Sequence, residues 1–280
     1  MQFIPPTHSL PENTFILLRD FIHERTGAYY ESDKRNILMD KLSPRLSAHG
    51  FESFLDYYYL LKYDTAADEE WKYVINALSV QETFFWREID QIKALVDVLV
   101  PQHFTDYPHK PLKIWSAACA SGEEPLTIAI ALNEAGWFGR APIQIYASDA
   151  SPSAIAKAIQ GLYRERAFRN LPPTLKAKYF QEESGYWRIS PEIHSRIHWE
   201  TANLVVETEI KPLAAVPIIF CRNVFIYFSD RAISKTIQLF NAAMPTPGYL
   251  FVGVSESLLK LTADFELQEI GGAFVYVKQK

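Results

Sequence analysis

The sequence predicts an α/β protein in which an all-helical amino-terminal stretch precedes an open sheet, and three observations carry that reading. Over residues 11–80 apolar side chains recur three and four apart, as in Phe15, Leu18, Phe21 and Ile22, the period of helices with one buried face. A proline-marked stretch, PQHFTDYPHKP, follows the helical spacing of residues 89–100, and beyond it short β-branched runs alternate with helical ones. Residues 113–132 read KIWSAACASGEEPLTIAIAL: a strand, a loop of small residues and a helix with proline in its first turn.

In chain order, the first helix ends at Thr26-Gly27. ESDKRNILMDKLSPRLSAHG then sets Ile37, Leu38, Leu42 and Leu46 on one side and Lys34, Lys41 and Arg45 on another, with Arg35 nearby. That cationic stripe is either a solvated face or a docking surface. Pro44 removes a donor and crowds the preceding turn, so the chain is expected to break there, with Ser43 capping a second short helix. FESFLDYYYLLKYD and EEWKYVINALSV supply two more helices. IQIYA, at residues 143–147, is the second strand and ends at Ser148-Asp149; SPSAIAKAIQGLY follows as a capped helix closing near Gly161. KYFQ, YWRIS and RIHWE, within residues 171–199, read as a small antiparallel excursion that Asn203-Leu204 closes. VPIIFC is a buried strand with Arg222-Asn223 at its carboxyl end, and RAISKTIQLFNAAM, YLFVGVSES and FVYVK complete the sheet, the last strand expected antiparallel.

The loop after the first strand carries the chemistry. Small side chains let a ligand lie against the backbone, and the helix amino terminus offers free N–H groups. With one glycine it is not GxGxxG, and no Gly-Lys-Ser/Thr follows. Glu123 and Glu124 repel a pyrophosphate and favour a cation or hydroxyls. S-adenosylmethionine, with a sulfonium, an ammonium and a ribose, fits better than NAD or ATP; an ordinary strand-to-helix corner is the alternative. Asp149, one strand later, stands where an acid accepts hydrogen bonds from ribose hydroxyls, or else caps the next helix. His194 and His198 are four apart, but Ile193, Ile197 and Trp199 alternate like a strand and no third ligand is near, so no metal is expected.

Composition narrows the class. The 280 residues, 48% hydrophobic and 14% aromatic, suit one large domain and a small one. A net charge of -5 excludes a broad basic footprint and with it nucleic acid as a partner. Cys119 and Cys221 make no disulfide framework and read as small buried residues. No apolar run reaches the roughly 18 residues of a membrane span. MQFIPPTHSLPENTF lacks a basic region followed by an apolar core, so no signal peptide is expected and the cytoplasm is the expected location.

QETFFWRE at residues 81–88, SAACASGEEP, ASDAS, the Asn203-Leu204 pair, FCRNVFIYF and GVSES stand in the order and spacing that the CheR chemoreceptor methyltransferases show, and the chain resembles that family over nearly its whole length. The resemblance implies an S-adenosylmethionine-dependent methyltransferase fold, a Rossmann-like sheet with a small antiparallel β-subdomain at about residues 175–200. Domain limits are expected at 1–80 for a helical receptor-docking domain, 81–112 for the motif segment, helix and linker, and 113–280 for the cofactor-binding domain. The implied reaction moves the methyl group of S-adenosylmethionine to glutamate side chains of bacterial chemoreceptors, leaving S-adenosylhomocysteine.

By position, the resemblance puts Gln81, Thr83, Arg87, Glu124, Asp149, Asn203, Leu204, Arg222 and Asn223 around the cofactor, with Glu123 as a further neighbour. Arg87 and Tyr227 would stand at the methyl-transfer centre; without the resemblance Tyr227 reads as a packed aromatic. Lys34, Lys41 and Arg45 would steer the protein to a glutamate-rich helical surface of the receptor cytoplasmic domain, and a monomer is expected. The family's NxTxFFR reads QETFFWR here, so Gln81 replaces asparagine and Trp86 a phenylalanine; glutamine offers the same amide one methylene further out. The short loop QEESGY argues against tethering through a receptor's carboxyl-terminal pentapeptide, which some members bind. Two other classes stay open: another carboxyl or small-molecule methyltransferase that does not depend on the basic helix, and a non-catalytic module that senses the cofactor or its product.

Overall fold

The computed structural model describes residues 9–278. The opening MQFIPPTH, on which the reading of no signal peptide largely rests, lies outside the described residues. The chain forms two units: one takes the residues up to Val80 together with Tyr227–Ser229, the other takes Gln81–Ile226 and the chain from Asp230 onward.

Four helices build the first unit: α1 (Glu12–Thr26), α2 (Arg35–His49), α3 (Phe54–Tyr63) and α4 (Ala67–Leu78). Phe15, Leu18, Ile22, Leu38, Leu42, Leu46, Tyr57 and Val74 are fully buried in its core. The expected break at Pro44 does not occur: α2 runs through it. Pro44 lies on the exposed side, and the Ser43 hydroxyl donates to the Met39 carbonyl at 2.8 Å instead of capping a new helix. Three buried leucines at about 2 kcal/mol each outweigh the roughly 3 kcal/mol cost of an interior proline. The unit also holds a segment from far along the chain. The Tyr29 N–H donates to the Tyr227 carbonyl at 2.9 Å, Ala28 and Phe228 form an antiparallel bridge, and His23 Nε2 lies 2.7 Å from Ser229 Oγ. Gly27 has φ +76°, and a Cβ there would stand 2.7 Å from the Phe228 ring, so glycine serves both the turn and the contact.

The second unit opens with a helix that outruns its expected length. α5 (Ile89–Ala94) passes through a π turn (Leu95–Leu99) into α6 (Val100–Asp106), so most of the expected linker at 101–111 is helical. The Val100 N–H donates to the Leu95 carbonyl, which resets the ladder and leaves Pro101 in a first turn, where its missing donor is not needed.

The rest alternates: β1 (Leu112–Ala117), α7 (Glu123–Glu134), β2 (Ile143–Asp149), α8 (Pro152–Gln160), β3 (Leu162–Tyr163), α9 (Pro173–Tyr179), β4 (Phe180–Glu183), β5 (Tyr186–Ile189), α10 (Pro191–His194), β6 (Ile197–Thr201), α11 (Glu207–Ala214), β7 (Ile218–Cys221), α12 (Asp230–Ala243), β8 (Gly248–Phe251), β9 (Phe265–Ile270) and β10 (Ala273–Lys278). Seven strands make the main sheet in the order β6-β2-β1-β7-β8-β10-β9. The first five are parallel, and β10 runs antiparallel to β8 and β9. Every residue of β7 and five of the six of β1 are buried, as central parallel strands covered on both faces require. The chain leaves β1 toward β2 and β6, then returns to β7 on the other side; ligands of such sheets gather at that reversal, beyond the strands' carboxyl ends.

The antiparallel excursion is smaller and earlier than expected. Its three strands are β3, β5 and β4, joined between β4 and β5 by the two-residue turn Ser184-Gly185, both at positive φ. RIHWE is not part of it: Ile197 pairs with Ile145 and β6 forms an edge of the main sheet. An edge strand with one buried residue carries too little apolar signal to be distinguished by pattern. His194 and His198 accordingly sit on separate elements; His194 Nε2 lies 2.9 Å from the Ala158 carbonyl, while the His198 ring stacks on Tyr146.

Candidate active site

Register brings the strand ends level, since Ala117 is opposite both Ser148 and Cys221. The loops that follow are tied by backbone donors. The Cys119 N–H bonds to the Ser148 carbonyl at 2.9 Å and the Ala202 N–H to the Asp149 carbonyl at 3.1 Å. The Asp149 carboxylate accepts from Ala120 N–H and Ser151 N–H, 2.9 Å each. Burial pushes the Asp149 carboxyl up, and these two amides oppose the shift. The cap of α8 is Ser151, whose hydroxyl accepts from the Ala154 N–H. Asp149 therefore joins the two loops and is not the helix cap.

Gly122 turns the chain into α7 at φ +94°, and a Cβ on it would meet the Trp199 ring at 2.7 Å. The two acids that begin α7 differ. Glu123 is 4% exposed; burial pushes its carboxyl up to about 7 against a hydrogen bond from Ser121. Glu124 accepts from the Ser116 hydroxyl at 2.6 Å and lies 3.3 Å from Arg222 Nε. Burial raises its carboxyl too, with Arg222 and Ser116 in opposition.

Arg222, at the end of β7, is the centre of charge. Its side chain is 2% exposed, with Glu88 Oε2 and Glu124 Oε2 each 3.3 Å from Nε; its Nη2 donates to the Arg87 carbonyl at 2.8 Å. Arg87 Nε stands 3.8 Å from Glu88 Oε1 as a second cation, so two guanidinium groups face the two carboxylates. Asn223 Nδ2 reaches Glu88 Oε1 at 3.4 Å. The motif segment is thereby held beside the sheet, and Phe85 anchors it in the core among Tyr163, Phe168 and Phe180. Outside glycine, the positive φ angles among the described residues fall at Trp86, Glu88, Ala118, Ala120, Ser184 and Asn223. All but the hairpin residue Ser184 lie in these loops, and strained backbone of this kind collects at functional sites.

Arg87 keeps partial exposure; its Nη1 donates to the Glu82 carbonyl at 3.2 Å, and the guanidinium sits over the Phe84 ring. Gln81 Oε1 accepts from Lys157 Nζ at 2.7 Å, while Thr83 is half-buried. Asn203 Oδ1 accepts from the Val205 N–H at 3.3 Å and Leu204 is buried. Tyr227 belongs to the first unit and is exposed there. Beside it stands Tyr30, whose hydroxyl burial, and then Tyr227, push up to about 12. Two of the three cations of the α2 stripe have structural partners. Lys41 Nζ donates to the Ala77 and Leu78 carbonyls at 3.2 and 3.0 Å. Arg45 makes a two-pronged pair with Glu70 at 2.8 and 2.6 Å. Lys34 is exposed at the turn before α2.

Sequence reasoning missed Glu256. Its carboxylate accepts from the N–H groups of Asn223, Phe225, Ile226 and Gly253 and so fixes the loop after β7 to the loop after β8. Because its partners are backbone amides, no side-chain pattern could have marked it; its place in GVSES was the only signal.

The donor set fits S-adenosylmethionine. Arg222 Nη1, Glu88 Oε2 and Trp199 Nε1 are buried with no hydrogen-bond partner, which asks for a ligand or water. The carboxylates of Glu88 and Glu124 can face a sulfonium or an ammonium, and each Asp149 oxygen retains a lone pair for a ribose hydroxyl. Residues 81–273 match the family model described as CheR methyltransferase, SAM binding domain, and residues 13–79 match CheR methyltransferase, all-alpha domain. The chain is 33% identical over 272 residues to chemotaxis protein methyltransferase 2 of Vibrio cholerae, covering 96% of this chain and 94% of that one. It is 31% identical to the chemotaxis protein methyltransferase of Klebsiella aerogenes, covering 92% and 88%, and 30% identical to that of Escherichia coli, covering 97% and 93%. The chain belongs to the CheR methyltransferase family and is an S-adenosylmethionine-dependent methyltransferase.

Proposed function

We propose that the protein methylates glutamate side chains of bacterial chemoreceptor cytoplasmic domains, producing glutamyl methyl esters and S-adenosylhomocysteine in chemotaxis adaptation, as a monomer in the cytoplasm. The observation that carries this reading is the carboxylate-bearing loop cluster around Arg222, Glu88 and Glu124 at the strand ends, in a chain whose relatives are named chemotaxis methyltransferases. When bound, S-adenosylmethionine supplies a methyl group made electrophilic by its sulfonium. Asp149 holds the ribose hydroxyls. Glu123 and Glu124, with the Asn203-Leu204 and Arg222-Asn223 loops, surround the rest; Gln81 and Thr83 border it from the motif segment.

The acceptor needs no strong base, because a glutamate with a pKa of about 4.3 is ionised at neutral pH. Orientation and exclusion of water are the tasks left to the protein. Arg87 retains guanidinium N–H groups with which to hold the incoming carboxylate, and Tyr227 is the second residue assigned to the transfer step. Lys34, aided by the exposed edge of Lys41 and Arg45, attracts an acidic helical surface. The two-residue turn between β4 and β5 supports recognition without a pentapeptide tether.

The test is transfer of label from methyl-labelled S-adenosylmethionine to a receptor cytoplasmic fragment, scored as base-labile ester. Label is expected on glutamate and is expected to fall about a hundredfold in Arg87→Ala and about tenfold in Tyr227→Phe. Cofactor binding without transfer to any of a panel of receptors would overturn the reading in favour of a sensor.

A further inference from the structure

Arg87 is the residue assigned to hold the incoming carboxylate, yet two acids of this chain already stand beside it. Glu88 follows it in sequence, with Oε1 3.8 Å from Arg87 Nε. Glu82 lies five residues before it, and the Glu82 carbonyl accepts from Arg87 Nη1 at 3.2 Å, which brings the carboxylate of the same residue within a side chain's swing. A guanidinium that closes its planar fork on a carboxylate of its own chain has fewer N–H groups left for a substrate. Each acid has to be held elsewhere for Arg87 to serve.

The structure shows a holder for each. Glu88 Oε2 is 3.3 Å from Arg222 Nε, and its Oε1 accepts from Asn223 Nδ2 at 3.4 Å. Glu82 is held from a distant part of the chain: Arg169 Nη2 donates to its Oε1 at 3.0 Å. Arg169 follows the single turn Glu165–Phe168, and the motif segment docks on that turn. The Phe85 N–H donates to the Ala167 carbonyl at 2.9 Å, and the Phe85 and Phe168 rings stack at 5.3 Å. The Arg169 guanidinium also lies 3.7 Å from the centroid of the Phe84 ring, the ring that the Arg87 guanidinium covers at 5.4 Å. One arginine thus touches both the acid that could block Arg87 and the ring on which Arg87 rests. An ion pair exposed at 45% and 64% adds little stability, so what it sets is where the Glu82 carboxylate points.

We infer that Arg169 is a positioning residue for methyl transfer: by holding the Glu82 carboxylate away from Arg87, it leaves the Arg87 guanidinium open to the carboxylate of the methyl-accepting polypeptide. The inference rests on the methyl-transfer reading for its acceptor. Without Arg169, Glu82 competes with the acceptor as an internal anion. Such competition raises the KM for the acceptor and leaves kcat at saturating acceptor near its wild-type value.

The test is label transfer to a receptor cytoplasmic fragment, with KM and kcat measured separately for the wild type, Arg169→Met, Arg169→Lys and Arg169→Met/Glu82→Gln. Arg169→Met is expected to raise KM about fivefold at similar kcat. Arg169→Lys keeps the charge without the planar contact to Phe84 and is expected to raise KM by less than about twofold. The double variant is expected to return to within about twofold of the wild type, a recovery that lost packing would not give. A double variant no better than Arg169→Met, or an Arg169→Met that lowers kcat at unchanged KM, overturns the inference, while wild-type transfer leaves the methyl-transfer reading standing. Absence of wild-type transfer to every receptor of a panel defeats that reading instead. Titration of N-acetyl-glutamate amide, followed at the Arg87 Nε–H resonance of the full chain, then decides the inference: a response weakened in Arg169→Met and restored in the double variant supports it, and equal responses in wild type and Arg169→Met, or none in either, overturn it.

Discussion

Arg222 shows how much one buried charge can hold. Its guanidinium lies 3.3 Å from both Glu88 and Glu124 and offsets their charge. Arg222→Met is expected to cost about 3 kcal/mol, and Arg222→Met/Glu124→Gln to recover part of it, because removing one partner of a buried pair leaves the other uncompensated; urea unfolding of the two variants measures the difference. Glu123 makes the opposite contribution. Its carboxyl is raised from 4.5 to about 7 by burial, so the folded state holds its proton more tightly than the unfolded chain. Stability from this residue is complete below pH 4.5 and drains as pH rises through 7. Glu123→Gln is expected to remove that slope, giving a smaller drop in urea midpoint between pH 5 and pH 8 than the wild type shows. Strand-end position made Asp149, Arg222 and Asn223 legible in the sequence, since parallel strands point their following residues at the same crevice. Glu88 and Glu256 were not legible as functional, because their partners are an arginine far along the chain and backbone amides.

Among the elements, α2 and α4 illustrate a cationic pattern with two physical uses. The sequence shows a stripe, but the structure spends Arg45 on Glu70 and Lys41 on the last carbonyls of α4. Burial pushes the Glu70 carboxyl up, yet hydrogen bonds from Arg45, Tyr57 and His49 bring it down to about 2. With the folded value below the unfolded 4.5, the stabilisation is whole above pH 4.5 and is lost as pH falls toward 2; Glu70→Gln is expected to flatten the acid limb of the unfolding curve. Arg45→Glu is expected to unfold the helical unit through charge repulsion with Glu70, so it is a poor test of docking. Lys34→Glu is the clean one: melting temperature unchanged, KM for the receptor fragment raised about threefold. Helices and the central strands were legible because their apolar period is strong. The continuity of α2 through Pro44 was not, because a local rule lost to three leucines on the opposite face. Nor was β9, an edge strand, and RIHWE was legible as a strand while its place in the main sheet was not, since an edge strand with one buried residue carries little apolar period.

At the scale of the whole molecule, the change of class near residue 80 was visible in the spacing of apolar residues, but no local pattern could reveal that Tyr227–Ser229 belong with the helices. Those residues bond to Tyr29, Ala28 and His23, partners that a chain cut at Val80 would not have. A fragment of residues 81–280 is expected to bind S-adenosylmethionine within about threefold of the full chain, since each cofactor candidate lies in the second unit, and to lose methyl transfer, since Tyr227 is left without its supports. Calorimetric titration and label transfer on the same preparation check the two halves. The helical unit is thus encoded in two places. A recombination event that exchanged only the 5′ part of the gene would hand the new helices a foreign Tyr227–Ser229, with a Phe228 that must still fit against a glycine at the end of α1. Shuffling among relatives should therefore respect a pairing between that turn and the IYFS codons, which travel as one inherited unit though they lie far apart in the message.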